Sequence, residues 1–397
     1  MNDTVVLAYS GGLDTSYCVK YLKHEKNLEV HAVLVNTGGF EEAEIKEIKS
    51  RATSMGVSQF ESIDVTEEFY QKAIRYLIFG NILKNDTYPL SVSAERIFQA
   101  IAIAEYAAKI NAKYIAHGST GAGNDQVRFD LAFGIICPEA EIITPIRDQQ
   151  LSRSEEIECL KTHGVEMSWE KAKYSINKGL WGTSVSGAET LTSNLTLPEE
   201  AYPSQLVKEG SETIRLSFES GELTSVNGKK SSSVECIQSL EKLASAYAVG
   251  RDMHVGDTII GIKGRVGFEA AAPLVIIKAH HTLEKHVLTK WQLYWKDQLA
   301  EWYGMMMHEG QYLDPVMRDI ETFLENTQQN VTGEVEVELH PYRFVVVGIH
   351  SEYDLMNSKF GDYGEMNNAW SGEDVKGFTK ILANQTKIHS AVNKSKP

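Results

Sequence analysis

The chain of 397 residues carries 39 Lys and Arg against 54 Asp and Glu, a formal net charge of −15, with 42% hydrophobic and 23% charged residues. This is the balance of an ordinary globular protein with chain enough for two or three domains, and its acidity argues against nucleic acid as a partner, since such binding rests on neutralising phosphates. No apolar run approaches the roughly 18 residues of a membrane span, no basic stretch precedes the apolar run after Met1, and the four cysteines form no C-x-x-C pair, so a cytoplasmic chain with reduced thiols and no membrane partner is expected.

Through about residue 165 the chain alternates strand and helix. Val5–Tyr9 is a short apolar run, and Thr15–Lys26 has helical spacing. Val30–Val35 reads as a second strand, ending at the breaker Asn36-Thr37-Gly38-Gly39. Glu41–Met55 is a polar helix and Phe60–Val65 a third strand. Glu95–Lys109 is a long Ala- and Ile-rich helix, before strands Tyr114–His117 and Ile142–Thr144. Strands separated by helices of this length imply a parallel sheet, with ligands outside the strands' carboxyl ends. Beyond about Glu170 the pattern changes. Gly182–Ser204 reads as extended loop, Thr213–Phe218 as a strand, and Asn227-Gly228 as a hairpin turn. Helix Val234–Tyr247 is followed by expected strands Thr258–Ile262 and Leu274–Ile277, a helical stretch Leu283–Met306, and the half-exposed strand Glu334–Leu339. Residues from Phe360 onward read as a polar arm. The fold class is thus an α/β nucleotide-type domain followed by an α+β domain.

Ala8-Tyr9-Ser10-Gly11-Gly12-Leu13-Asp14-Thr15-Ser16 lies where the first strand hands over to a helix. Two glycines permit a tight turn and close approach of backbone to a ligand. The helix start offers unpaired N–H groups and the positive dipole end, and three hydroxyls add donors, so the segment is a cradle for phosphate oxygens. It matches neither G-x-x-x-x-G-K-[ST] nor G-x-G-x-x-G. S-G-G-x-D-[ST] after a first strand resembles the pyrophosphate loop of the adenylating N-type ATP pyrophosphatases. Asp14 in that setting suits Mg²⁺, because hard cations take carboxylate oxygens.

His117-Gly118-Ser119-Thr120-Gly121-Ala122-Gly123-Asn124-Asp125-Gln126-Val127-Arg128-Phe129 follows the fourth strand and is expected over the same sheet edge. Thr120, Asn124, Asp125 and Arg128 suit a zwitterionic substrate. Asp125 offers a carboxylate to an ammonium or ureido N–H, and Arg128 a bidentate guanidinium to a carboxylate. A surface ion pair of Asp125 with Arg128 is the plainer reading.

With both runs in one chain, and with Ser175-Ile176-Asn177-Lys178-Gly179-Leu180-Trp181-Gly182-Thr183-Ser184, the sequence resembles the argininosuccinate synthase family over nearly its whole length. The resemblance implies ATP at Ala8, Tyr9, Ser10, Gly11, Gly12, Leu13, Asp14, Thr15, Ser16, Val35 and Gly118. It implies aspartate at Thr120, Asn124 and Asp125, and citrulline at Tyr88, Ser93, Asn124, Arg128, Ser175 and Ser184. Asp14, Asp125 and Arg128 are the residues expected to carry catalysis. The implied organisation is a pyrophosphate-loop ATP domain over 1–165, a synthetase domain over 170–360 and an arm over 361–397, assembled as a homotetramer. The implied reaction is adenylation of citrulline at its ureido oxygen, then displacement of AMP by the aspartate amine.

The chain departs from the family in places. Val35-Asn36-Thr37-Gly38-Gly39 replaces Ala-Asn-x-Gly-Gln, the neighbours of Tyr88 and Ser93 differ, Gly256 stands where a citrulline-binding glutamate is usual, and Phe268 where a tyrosine is. Either Asp257 restores the missing carboxylate, which is the smaller change and the favoured expectation, or the substrate is an N-acylated citrulline. An RNA-modifying adenylating enzyme would want a basic surface and paired cysteines, which are missing, and a non-catalytic nucleotide binder would release no AMP. His280, His281 and His286 lack metal-ligand spacing and are expected to be solvated or capping. Trp291, Trp295 and Trp302 are expected in the core or a subunit interface, Cys18 in packing, and Glu41–Glu47 on a solvated helix face.

Overall fold

The computed structural model describes residues 3–165, 173–357 and 369–394. Residues 1–352 form one compact unit and 353–397 a second.

The first sheet is parallel throughout, in the order β3-β2-β1-β4-β5. Its strands are β1 (Thr4–Ala8), β2 (Glu29–Asn36), β3 (Gln59–Asp64), β4 (Tyr114–Ala116) and β5 (Glu141–Ile143). Val5, Val6 and Leu7 are fully buried, as a central strand covered on both faces must be. Helices α1 (Leu13–His24) and α2 (Glu42–Met55) follow β1 and β2. Short helices α3 (Thr66–Phe69) and α4 (Arg75–Phe79) flank a wide turn after β3. The long α5 (Ser91–Lys109) packs its Ala- and Ile-rich face on β1 and β2. Helices α6 (Asp125–Ile136), α7 (Pro145–Gln149) and α8 (Arg153–Thr162) complete this part. The chain moves outward from β1 in one direction through β2 and β3, then restarts on the other side at β4. The loops after β1 and β4 therefore flank a topological switch point, where α/β sheets open a crevice for ligands.

Two antiparallel sheets follow. One runs β11-β12-β7-β6, from β6 (Ser175–Gly179), β7 (Gly182–Ser186), β11 (Arg251–Asp257) and β12 (Lys263–Glu269). The other runs β10-β9-β8-β13-β14, from β8 (Glu212–Glu219), β9 (Glu222–Val226), β10 (Lys229–Lys230), β13 (Gly333–His340) and β14 (Arg343–His350). Ile214, Leu216, Val335 and Val337 alternate inward on β8 and β13, under α9 (Ser233–Ser245) and α10 (Ala271–Val287). Helices α11 (Lys290–His308) and α12 (Val316–Gln328) pack on one another. Among these helices lies a buried polar network: Lys296 Nζ reaches Glu284 at 3.1 Å and donates to Phe79 C=O, and Gln328 donates to Glu284.

Several sequence expectations change here. Leu274–Ile277 lies inside α10, because a helix buried nearly all round shows no strand-like or helical stripe to tell it apart. Thr258–Ile262 is the turn between β11 and β12, closed by Thr258 N–H to Ile262 C=O at 2.8 Å. Gly182–Ser204 is not all loop, since β7 opens it. The stretch Leu283–Met306 breaks at Leu288-Thr289, where Thr289 opens α11 with a capping box. Trp291, Trp295 and Trp302 are more than half exposed, so they are not core of this chain. His280 is not solvated: it is fully buried, bonded to Asn81 and Gln328. Cys18 is fully buried packing. Among the described residues no His/Cys/Asp/Glu group suits a metal by itself, and no helix is long and apolar enough to cross a membrane.

In the second unit, α13 (Gly372–Leu382) starts at the Ser371 capping box and α14 (Asn384–Asn393) follows. Val375, Phe378, Ile381, Leu382, Ile388 and Val392 on them are all exposed. The expected arm begins among residues outside those described.

Candidate active site

The carboxyl end of β1 runs directly into the glycine turn. Tyr9 N–H still bonds Val33 C=O at 2.9 Å, and Gly11 then turns at φ 77°. That left-handed conformation, with Ile48 of α2 3.2 Å from where a Cβ would sit, calls for glycine. Gly12 is the N-cap of α1 and no side chain caps the helix, so its first amides remain open at the positive end of the dipole. Ser10 Oγ and Thr15 Oγ1 stand 3.4 Å apart on the rim, and Arg51 of α2 donates to the Gly11 carbonyl. Ala8, Tyr9, Leu13 and Ser16 are buried beneath. Val35 is buried at the end of β2, beside Asn36, whose side-chain oxygen accepts from Gly38 N at 3.0 Å and Phe40 N at 3.2 Å.

Asp14 lies in the first turn of α1 without capping it. It faces Glu156 of α8, 3% exposed, whose carboxyl is pushed up to about 8 by burial and by the Asp14 charge. Two oxygen-donor carboxylates in one corner are the ligand chemistry of Mg²⁺, and a cation there would offset their repulsion. Glu156 was not singled out in the sequence. Its signal is that it shares a face of α8 with Leu160, four residues on, in an otherwise polar helix.

The second loop arrives on the first. A Cβ on Gly118 would stand 3.5 Å from Asp14 Cβ and 3.3 Å from Cys18 Sγ, so the residue after His117 packs against the pyrophosphate-type turn. His117, 1% exposed, accepts at Nδ1 from Ser119 N, which leaves Nε2–H to donate to Asp130 at 3.0 Å. Arg147 holds the other Asp130 oxygen at 2.6 Å, and Gln126 donates to the Gly121 and Gly123 carbonyls, so the glycine-rich loop is clamped at its base. Thr120 is exposed at its tip. Asn124 accepts from Ile259 N at 2.9 Å, tying the loop to the β11–β12 turn.

The plainer alternative, a surface pair of Asp125 with Arg128, does not describe the junction found, in which the guanidinium is buried and the carboxylate is 37% exposed. Arg128 is 3% exposed and donates to Asp125 at 2.9 Å, to Ser93 at 3.1 Å and, through two nitrogens, to the His308 carbonyl. Asp125 also takes Arg96 of α5 at 3.3 Å. Burial pushes the Asp125 carboxyl up, but Arg96 and Arg128 more than offset this and hold it below the ordinary carboxylate value. Arg96 reaches on to Asn177 of β6 at 2.9 Å, and Asn177 pairs with Ser184 of β7. Ser184 thereby joins the cluster. Ser175, exposed at the outer end of β6, shares its face two residues from Asn177. Tyr88 is 4% exposed. Its oxygen accepts from Ser91 and from Val92 N, and its ring stacks on His254 at 5.2 Å and tilts on Phe268 at 5.5 Å. Trp181 donates to Pro89 C=O at 2.9 Å, pinning the turn that carries Tyr88. Arg96, His254 and His308 were not foreseen; they reach the cluster from segments far apart in the chain.

The Gly256 position changes one expectation. Asp257 does not restore a carboxylate: strand alternation puts it on the other face of β11 from Gly256, 66% exposed and paired with Lys263 at 2.7 Å. A cavity of about 590 Å³ elsewhere, between β3 and α5, is lined by His31, Asp64 and Glu105 and by none of the predicted site residues.

A parallel sheet with an uncapped, glycine-turned helix start at its switch point, facing a second loop of buried charge pairs, defines a nucleotide-binding domain built to bring a phosphate group to a polar substrate. Residues 4–166 match the sequence model described as "Arginosuccinate synthase N-terminal HUP domain", and residues 174–389 match "Arginosuccinate synthase C-terminal domain". Argininosuccinate synthase of Methanocaldococcus jannaschii is 38% identical over 92% of this chain and 93% of its own. Those of Dictyoglomus turgidum and Xylella fastidiosa are 36% and 34% identical over 98% and 99% of both chains. The chain belongs to the argininosuccinate synthase family. An NH3-dependent NAD synthetase from Campylobacter jejuni overlaps 43% of this chain and 67% of its own at 16% identity and a TM-score of 0.32, too slight a likeness to define the fold.

Proposed function

We propose that this protein is an ATP-dependent C–N ligase that condenses a citrulline with aspartate, releasing AMP and pyrophosphate, in arginine biosynthesis in the cytoplasm. The observation that carries this reading is the contact of Gly118 with Asp14, which sets the phosphate-type turn and the charged amino-acid loop edge to edge. The open amides of α1, with Ser10, Thr15 and Ser16, hold the ATP phosphates and stabilise charge on the phosphoryl group as the ureido oxygen attacks. Val35 and Gly118 flank the nucleotide. Asp14, with Glu156, would hold Mg²⁺, which supplies electrostatic stabilisation of the pyrophosphate. Thr120, Asn124 and Asp125 receive aspartate, and Asp125 stays ionised because two arginines flank it. Tyr88, Ser93, Asn124, Arg128, Ser175 and Ser184 bound the citrulline side. No side chain forms a covalent bond; catalysis is positioning plus electrostatics.

We assign adenylation to residues 1–165, the synthetase part to 170–360 and an arm to 361–397. The more than half-exposed Trp291, Trp295 and Trp302 and the uncovered apolar side chains of α13 and α14 support a homotetramer, testable by light scattering. The activity is tested by nucleotide chromatography of reactions with aspartate and a panel of citrullines. AMP with pyrophosphate is expected; ADP with phosphate refutes the reading.

A further inference from the structure

The strand that carries Gly256 also carries His254, two residues earlier and on the same face. A Cβ on Gly256 would lie 2.7 Å from His254 Nε2 and 3.3 Å from Asn85 Nδ2, so the imidazole and an amide own the space a residue-256 side chain would take. His254 is 6% exposed, stacked on Tyr88, and its Nδ1 has no hydrogen-bond partner. His308 stands beside it. Its Nδ1 pairs with Ser93 at 3.1 Å, while its buried Nε2 has no hydrogen-bond partner.

The charges around this corner have one sign. Burial and Lys84 push the His254 imidazolium down; burial, Arg128, Lys84 and His254 push His308 down to about 3. No carboxylate side chain is among the groups that shift either ring. Two acids of adjoining segments are committed elsewhere, Asp125 to Arg96 and Arg128, and Asp257 to Lys263 on the opposite face, and Asp86, in the turn with Lys84 and Asn85, is not among the groups that shift either ring. A substrate ammonium set here would meet two neutral imidazoles in a positive field. Buried polar groups without matched partners are what a site selects against. A blocked amine reverses the match. A neutral imidazole keeps one acceptor nitrogen, open to an amide N–H as to an ammonium, and the amide brings no positive charge into the field of Lys84 and Arg128. Asn85 Nδ2 gives one N–H to Val255 C=O at 3.0 Å and has a second for an acyl carbonyl. An acid on the acyl chain would find the Lys84 field.

We infer that the amino-acid substrate of this enzyme is a citrulline whose α-amine is acylated, with an acyl chain ending in a carboxylate, received by His254, Asn85 and Lys84 beside Gly256. The inference rests on the ligase reading above and narrows its substrate. Adenylation proceeds unchanged at the far ureido end, so no new bond-making step is involved.

The experiment measures AMP release and condensed product with ATP, aspartate and, in turn, citrulline, N-acetylcitrulline and N-succinylcitrulline. N-succinylcitrulline is expected to exceed citrulline at least tenfold in kcat/KM, with N-acetylcitrulline between. Lys84→Met should bring the N-succinyl value down to that of N-acetyl measured on the same variant, abolishing the preference for the terminal carboxylate. Gly256→Glu with His254→Ala, which clears room for the new carboxylate, should raise citrulline relative to N-succinylcitrulline at least tenfold. Citrulline equal to or better than both acylated substrates overturns the inference while leaving the ligase reading intact. AMP from none of the three overturns the ligase reading itself.

Discussion

Asp125→Asn is the sharpest probe of the junction between the two substrate loops. The substitution keeps the shape and one acceptor oxygen but removes the charge that two guanidiniums share at 2.9 and 3.3 Å. Breaking a buried ion pair from one side costs about 3–5 kcal/mol when the remaining charge is stranded. Here neither arginine is stranded. Arg96 keeps Gln99 at 2.8 Å and Asn177 at 2.9 Å, and Arg128 keeps Ser93 and the His308 carbonyl. The Asp125 side chain is itself 37% exposed, so solvent already screens part of its charge. The expected loss is therefore about 1–3 kcal/mol, or one or two charge-assisted hydrogen bonds. At about 2.1 cal/mol/K of unfolding entropy per residue, a chain of this size would then melt roughly 1–4 °C lower. Turnover should fall much further, by about 100-fold or more, because a misplaced substrate forfeits proximity and orientation. Thermal melting and AMP release on the same preparation decide it. A variant that melts lower yet turns over at the wild-type rate refutes the role given to Asp125. One that neither melts lower nor slows refutes the junction.

Asp14→Asn should leave stability within about 1 kcal/mol, since Asp14 lies in the first turn of α1 without capping it, so that a modest dipole interaction is lost while its repulsion of Glu156 is relieved; turnover and Mg²⁺ dependence should both suffer, as melting and metal titration together would show. Lys296→Met removes the ammonium paired with Glu284, which is 0% exposed and keeps only the neutral amides of Asn81 and Gln328 as donors, so the uncompensated buried charge is expected to cost about 3–5 kcal/mol by denaturant titration. Adding Glu284→Gln should recover most of that, and an unrecovered double variant would refute the pairing argument. His280 is held neutral by burial, its pKa lowered from 6.5 to about 4, so the unfolded chain binds a proton that the fold refuses. Stability should accordingly fall as pH drops from 6.5 to 4, and His280→Gln should flatten that part of the profile; an unchanged slope refutes the account.

The parallel half of the fold was legible because its strands are continuous apolar runs bounded by turns, and Gly11-Gly12 announced the crevice. The antiparallel half was less so. Leu274–Ile277 is β-branched and apolar, and only its neighbours within α10 show that it is helical. Asp14, Asp125 and Arg128 were found from local patterns, but Arg96, Glu156, His254 and His308 meet them through tertiary packing that no spacing encodes. Asp257 failed for a simpler reason. Adjacent in sequence means opposite in a strand, so a neighbour cannot stand in for Gly256 unless the register slips.

Helices of ten or eleven residues are marginal on their own in water. Phe378 and Ile381 on α13 and Val392 on α14 are large apolar side chains left exposed. Under the homotetramer proposed above, their helicity would be tied to protein concentration, association and ordering of these helices forming one equilibrium whose stability rises with the amount of protein by mass action. Dilution alone, with no denaturant, should lower far-ultraviolet helical signal in proportion to the arm's share of the chain.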